Sequence, residues 1–174
     1  GINLGDFGKD GTGTKTNENF YSLLKAIEEL DGVARYRISS IEPNLLTEDI
    51  IELVAKSKKI MPHFHIPLQS GSNKILALMR MRYRRELYAE KVVMIKNLIP
   101  DCCIGVDIIT GFPGETYDDF KETVDFLISL DISYLHVFTY SERANSYALN
   151  IKPLVPIKYR NNITKILRNL SYKK

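Results

Sequence analysis

Cys103-Ile104-Gly105-Val106-Asp107-Ile108-Ile109-Thr110, running straight into Gly111-Phe112-Pro113-Gly114-Glu115-Thr116, is the stretch that decides the fold. Its first half is short and rich in Ile and Val, with Pro100 and Gly111 bounding it, the pattern of a buried strand. Its second half is a glycine- and proline-bearing turn. Thr116 then opens a helix whose Phe120, Val124, Leu127 and Leu130 fall on one face. A buried strand passing through a tight loop into an amphipathic helix is one βα unit.

The same alternation extends in both directions. Upstream, Thr16 to Leu30 places Phe20, Leu23, Leu24, Ile27 and Leu30 at helical spacing, and Asp31-Gly32 ends the run. Val33 to Ser39 reads as a strand. Thr47 is placed to cap a helix carrying Ile50, Ile51, Val54 and Ala55. Pro62 to Leu68 is strand-like, and Ser72 to Arg80 and Arg85 to Leu98 read as helices. Gly1 to Gly5 reads as the end of a strand entering a glycine-rich loop, Asp6 to Thr14. Downstream, Ile132 to Tyr140 is a strand, Ser141 to Val155 a polar connector, and Ile157 to Leu170 a last helix. The predicted class is α/β, with about five βα units and parallel strands covered by helices. Periodicity alone fits a closed barrel, an open barrel or a doubly wound sheet. In each, ligands sit at the carboxyl ends of the strands.

Composition sets outer limits. The chain has 174 residues, 44% hydrophobic and 26% charged, which suits one folded unit and argues against disorder. A net charge of +3 is compatible with a nucleic-acid partner without requiring one. No apolar run reaches the roughly 18 residues of a membrane span. The two cysteines, Cys102 and Cys103, are adjacent, so in an extended segment they point to opposite faces and cannot chelate together. They read as reduced, structural, cytoplasmic cysteines.

The predicted strand ends carry hydrogen-bonding residues or glycine: Asn3 and Asp6; Ser39, Ser40 and Glu42; Gln69, Ser70, Ser72 and Asn73; Thr110, Gly111, Phe112, Gly114 and Glu115; Tyr140, Ser141 and Arg143. Singly these are the residues of caps and turns. Together they predict one mouth for a polar, flexible small molecule. Asp107 lies inside the Ile/Val strand, where a carboxylate needs partners or must reach that mouth. His63 and His65 share a face of the third predicted strand, but no third ligand is evident, so no metal site is assigned. His136 reads as core. Arg80, Arg82, Arg84 and Arg85 form a basic run. Arg82 or a neighbour is expected to reach back to the mouth, and the others are surface candidates for RNA.

Taken in order, Gly1-Ile2-Asn3-Leu4-Gly5, Arg37-Ile38-Ser39-Ser40-Ile41-Glu42-Pro43, His65-Ile66-Pro67-Leu68-Gln69-Ser70-Gly71-Ser72, the segment Asp107 to Thr116 and the segment His136 to Arg143 resemble the radical S-adenosylmethionine (SAM) methylthiotransferases. The third of these, with Ser39-Ser40-Ile41-Glu42-Pro43, is most similar to the branch acting on N6-threonylcarbamoyladenosine at position 37 of tRNA. The resemblance implies a partial open (βα) barrel of the radical SAM type, with SAM and 4Fe–4S clusters as cofactors, tRNA as partner and methylthiolation of the adenine C2 as the reaction. It implies that residues 1–150 are the barrel without its first strand and cluster loop. Residues 151–174 would then be a terminal helix leading to an RNA-binding domain. Carried over by position, Asn3, Ser39, Ser40, Glu42, Gln69, Ser70, Arg82, Asp107, Gly111 and Phe112 are expected to line the SAM pocket. No catalytic side chain is assigned, and this chain alone is expected to be inactive. Its exposed first strand is expected to pair with a second copy. The alternatives are the isopentenyladenosine or ribosomal-protein branches, another radical SAM chemistry, and a binding module that has lost its cluster.

Overall fold

The computed structural model describes residues 3–8 and 17–174. At its centre is β2 (Cys103–Thr110), with the limits read from sequence. It pairs in parallel with β1 (His63–His65) on one side and β3 (Tyr134–Thr139) on the other. The crossovers are α3 (Asn73–Leu78) and α4 (Arg85–Leu98) between β1 and β2, and α5 (Tyr117–Ser129) between β2 and β3. Beyond β1, Tyr36 and Ser40 bridge in parallel to Ile60 and His65, and Leu4 N donates to Ser40 O at 3.1 Å. Spatial order therefore follows chain order, as in a barrel wall, whereas a doubly wound sheet reverses at a switch point. Among the described residues the sheet stays open.

Alternation sorts the molecule. Ile104, Val106 and Ile108 of β2, Leu135 and Val137 of β3, and Phe64 and Ile66 are buried on the helix side. They pack with α1 (Phe20–Glu29), α2 (Glu48–Lys56) and α6 (Ile157–Ser171) as well as the crossover helices, through Leu24, Ile51, Tyr88, Ile95, Leu127 and Leu167. The opposite parity, His63, His65, Asp107, Ile109, Tyr134, His136 and Phe138, lines an inner hollow. Tyr88, fully buried, donates its hydroxyl to Ile66 O at 2.9 Å and so ties α4 to the strand above it. Helix starts follow local chemistry. Asn19 and Ser22 form a reciprocal capping box for α1, and Thr116 and Asp119 form one for α5. Thr47 occupies the cap position of α2 without a side-chain bond, leaving Glu48 and Asp49 to complement the dipole.

Three expectations change. The segment 33–39 is not a continuous strand: it holds one isolated bridge, at Tyr36, and the next falls at Ser40 just beyond it. Pro62 has no N–H, and His63 N turns back to Met61 O at 2.7 Å, so neither donates across. Between the two bridges the register slips by one residue, as in a bulge. The helix predicted from Ser72 to Arg80 stops at Leu78, and Arg80 has φ 58°. The opening segment forms a 3₁₀ turn, Leu4–Asp6. Gly1, Ile2 and residues 9–16, which hold the rest of the expected strand end and most of the glycine loop, lie outside the described residues.

The two faces of β2 make a direct test. Ile108→Ala, at a position 1% exposed, should cost about 2–5 kcal/mol. Ile109→Ala, one residue on and facing the hollow, should cost less than about 2 kcal/mol in urea denaturation.

Candidate functional site

The inner face is built in tiers of matching parity that run obliquely to the ladder, each β1 residue meeting side chains two positions beyond its register partner: His63 pairs with Cys103 and His65 with Gly105, while Gly105 and Asp107 pair with Tyr134 and His136. The lowest tier joins Arg37, His63 and Tyr134. Arg37 Nε donates to His63 Nδ1 at 3.1 Å, and His63 Nε2 lies 3.0 Å from the Tyr134 hydroxyl. Burial, and then the Arg37 guanidinium, hold the His63 imidazole below its usual pKa, which keeps it neutral. Gly105 makes room for this tier, since a Cβ there would run into the Tyr134 ring.

In the middle tier, Asp107 Oδ1 lies 2.7 Å from His65 Nε2 and 3.2 Å from His136 Nδ1. The two imidazoles stand nearly perpendicular, 5.4 Å apart. The expectation that His136 is core is wrong: its side chain is 52% exposed to the hollow. The parity of β3 buries Leu135 and Val137 and turns His136 inward.

The top tier, Gln69, Ile109 and Phe138, opens into a cavity of about 520 Å³ whose wall also includes Phe112, Tyr140 and Arg143. Phe112 and Tyr140 meet edge to face at 5.4 Å. A second hollow of about 360 Å³ shares Gln69, Ile109 and Phe112 and runs under Tyr147 and Arg80, whose guanidinium lies 3.7 Å over the Tyr147 ring. A wider groove of about 670 Å³ between α4 and α5 lies away from the strand ends and is lined mainly by charged surface residues. Gln69 has φ 68°, a left-handed backbone that costs about 1–2 kcal/mol for a residue with a Cβ. Bonds on both sides hold it there, Gln69 N to Asp107 O and Ile109 N to Gln69 O, each 2.9 Å.

The expected pocket residues fall into groups. Gln69, Asp107 and Phe112 line the 520 Å³ cavity. Asn3, Glu42 and Arg82 meet in a separate cluster. Asn3 accepts from Glu42 N at 3.2 Å and donates to Asp6 at 3.0 Å, while Arg82 reaches Glu42 at 3.1 Å. Arg82 thus turns toward the strand ends, as expected. Ser40 bridges to His65, and Ser39 beside it is exposed. Ser70 is 1% exposed and faces α5, with its hydroxyl 3.3 Å from that of Thr123. Gly111 turns its Cα toward Arg160. The rest of the basic run is committed to local partners: Arg84 to Glu86, and Arg85 to Glu122 and Gly71 O. Tyr134, Phe138 and Tyr147 were not assigned to a site from sequence, and His136 was read as core. The one signal for Tyr134, His136 and Phe138 was strand parity, which does not say which face is the hollow.

The loop after β2 is held from beneath. Gly111 N donates to Glu115 Oε2 at 2.6 Å. Buried Arg160 donates from Nε to Val155 O at 2.6 Å, from Nη1 to Tyr140 O at 3.1 Å and from Nη2 to Glu142 at 2.6 Å. One guanidinium thus fastens the 141–155 connector against the cavity.

A chain-ordered, open parallel wall with a ligand-sized cavity at its carboxyl ends defines the class of open (βα) barrels. The model for the Radical SAM superfamily matches residues 11–127, and the chain belongs to that superfamily. It is 41% identical over 156 residues to the threonylcarbamoyladenosine tRNA methylthiotransferase MtaB of Aquifex aeolicus, covering 90% of this chain and 38% of that protein. It is 38% identical to a tRNA-2-methylthio-N(6)-dimethylallyladenosine synthase of Clostridium botulinum, covering 100% of this chain and 39% of that one. In fold it is similar to coproporphyrinogen III oxidase (HemN) from Escherichia coli, with TM-score 0.68, 16% identity, and coverage of 88% of this chain and 35% of that one. The chain thus spans well under half the length of the relatives it matches.

Two cofactors go with the superfamily, SAM and a 4Fe–4S cluster. The cavity's chemistry fits SAM. Ile109, Phe112 and Phe138 offer apolar faces for a purine, and Gln69, Asp107 and Ser141 offer polar groups for an amino-acid moiety. A cluster does not fit the residues present. The chain has two cysteines, both free, and burial pushes the Cys102 thiol up to about 11.

Two outcomes test this site. Burial lifts the Glu115 carboxyl to about 7, against the Gly111 bond that lowers it, with Asp119 adding to the rise. The folded state therefore keeps a proton that the unfolded state loses near 4.5. Stability should decline as pH rises from about 4.5 to about 7, by up to about 3 kcal/mol, and then level off. Glu115→Gln keeps an oxygen for Gly111 N and should flatten that decline in urea titrations across the range. Gln69→Gly should relieve the left-handed strain and leave stability equal or up to about 1 kcal/mol higher. The same variant should weaken SAM binding about tenfold by calorimetry.

Proposed function

We propose that this chain is the SAM-binding barrel of a tRNA methylthiotransferase whose target is C2 of N6-threonylcarbamoyladenosine at position 37. The observation that carries the reading is the likeness to MtaB along nine-tenths of the chain, in a fold whose cavity lies at the strand ends. In this reading Gln69 and Asp107 hold the amino-acid end of SAM, and Ile109 and Phe112 flank its adenine. Ser39 and Ser40 face the ribose, and Asn3, Glu42 and Arg82 form the rim beside them. Bound there, SAM would supply the methyl group and, given one electron from a reduced 4Fe–4S cluster, the adenosyl radical, and the residues named here would orient it and keep water from the apolar side.

The dimethylallyladenosine reading is a real rival, since the Clostridium botulinum relative is 38% identical over the whole chain. The tiers below the cavity favour a polar substituent over a hydrocarbon one. They hold Arg37, three histidines, Tyr134 and the Asp107 carboxylate, joined by hydrogen bonds. The deciding experiment uses the full-length enzyme, reconstituted anaerobically with iron and sulfide and given SAM, reductant and tRNA. The tRNA carries either threonylcarbamoyladenosine or dimethylallyladenosine. Mass spectrometry should find the methylthio nucleoside with the first tRNA. Product with the second alone transfers the protein to the rival branch. Cleavage of SAM with neither product removes the tRNA assignment.

A further inference from the structure

We propose that His65, Asp107 and His136 form a divalent transition-metal site facing the inner hollow. The inference rests on the fold and these three side chains and is independent of the tRNA assignment; it shares Asp107 with the SAM reading above, one carboxylate oxygen serving the metal and the other remaining for SAM. Each residue comes from a different strand position on the inner face: His65 ends β1, Asp107 lies in the middle of β2, and His136 pairs with it across β3. The donor atoms His65 Nε2, Asp107 Oδ1 and His136 Nδ1 all lie within 4.8 Å of one another. A metal with bonds of about 2.0–2.1 Å needs ligand atoms about 2.9–3.4 Å apart. The two separations from Asp107, 2.7 and 3.2 Å, lie on either side of the lower end of that range, and the two imidazole nitrogens lie within 4.8 Å of each other.

The ligand chemistry is specific. Two imidazoles and one carboxylate on a single face leave the remaining coordination positions open, the arrangement of catalytic rather than structural sites. Here the open positions point into the hollow, because His65 and Asp107 keep 21% and 18% of their side chains exposed and His136 keeps 52%. A nitrogen-rich set of this kind suits Zn(II), Co(II) or Fe(II) and not Mg(II) or Ca(II). His63, the histidine that sequence spacing pairs with His65, is excluded, since Arg37 and Tyr134 occupy its ring. The third ligand is absent from that pair in sequence and arrives from β2 through the ladder.

Cobalt(II) titration of the chain, followed by visible absorption, tests the proposal. Tight binding should give d–d bands without a thiolate-to-metal band, which distinguishes this site from adventitious capture by Cys103. His136→Gln, at a half-exposed position where folding is not at stake, should weaken binding at least about tenfold, and Asp107→Asn likewise. His63→Gln should leave binding unchanged. Competition should place Zn(II) above Co(II) in affinity. Absence of binding at about 100 µM metal, or binding that survives His136→Gln, overturns the proposal. Neither result bears on the methylthiotransferase assignment, which is read from nucleoside product.

Discussion

β2 is the constraint on which the rest depends. Among the described residues it has a strand on each side, and both parallel ladders of the sheet pass through its backbone. Its even-numbered side chains enter the helix layer, and its odd-numbered ones face the hollow. A one-residue slip would send Ile104, Val106 and Ile108 into the hollow and drive Asp107 into apolar packing, where an unpaired carboxylate costs several kcal/mol. The register is therefore fixed by burial on one face and by polar partners on the other. The same alternation then places His136 beside Asp107 and Phe138 beside Ile109.

The strand ends need a second device, because backbone leaving a sheet loses its ladder bonds. Arg160 supplies three donors to carbonyl and carboxylate oxygens of the returning connector, from a position 3% exposed. Gly111 lets the chain pass over it, with φ 74° and no Cβ to meet the Arg160 side chain. Glu115 closes the loop from the other direction. A rigid floor of this kind is what a loop near a ligand requires, since adaptable loops position groups less well than supported ones.

Much of this architecture was legible in the residues. β2 combined a β-branched run with Pro100 and Gly111 at its borders, and its limits match those read from sequence. The starts of α4 and α6 were equally plain. The segment 33–39 misled because its alternation was strand-like, while the fault lay in its partner, at Pro62 and His63. His136 misled for a different reason. Strand period 2 divides side chains into two sets, but both faces of a barrel strand can be enclosed, so the period does not say which set is core. The left-handed Gln69 left no trace, because glutamine carries no turn signal. The residues expected at the SAM pocket stood out as strand-end polar groups, but Ser70 and Gly111 could not be told from caps and turns without knowing which way each pointed.

Spatial order that repeats chain order also bears on how the molecule is made. Each strand docks on the one that precedes it, so no pairing waits for a segment that has yet to leave the ribosome. β1 with α3 and α4 presents an edge; β2 fills it and presents the next; β3 and α6 follow. Loop-closure entropy stays small at every step, which favours rapid assembly over a sheet whose first strand must sit at its centre. The wall is thus laid down in sequence, and the hollow deepens by one strand's width with each βα unit added.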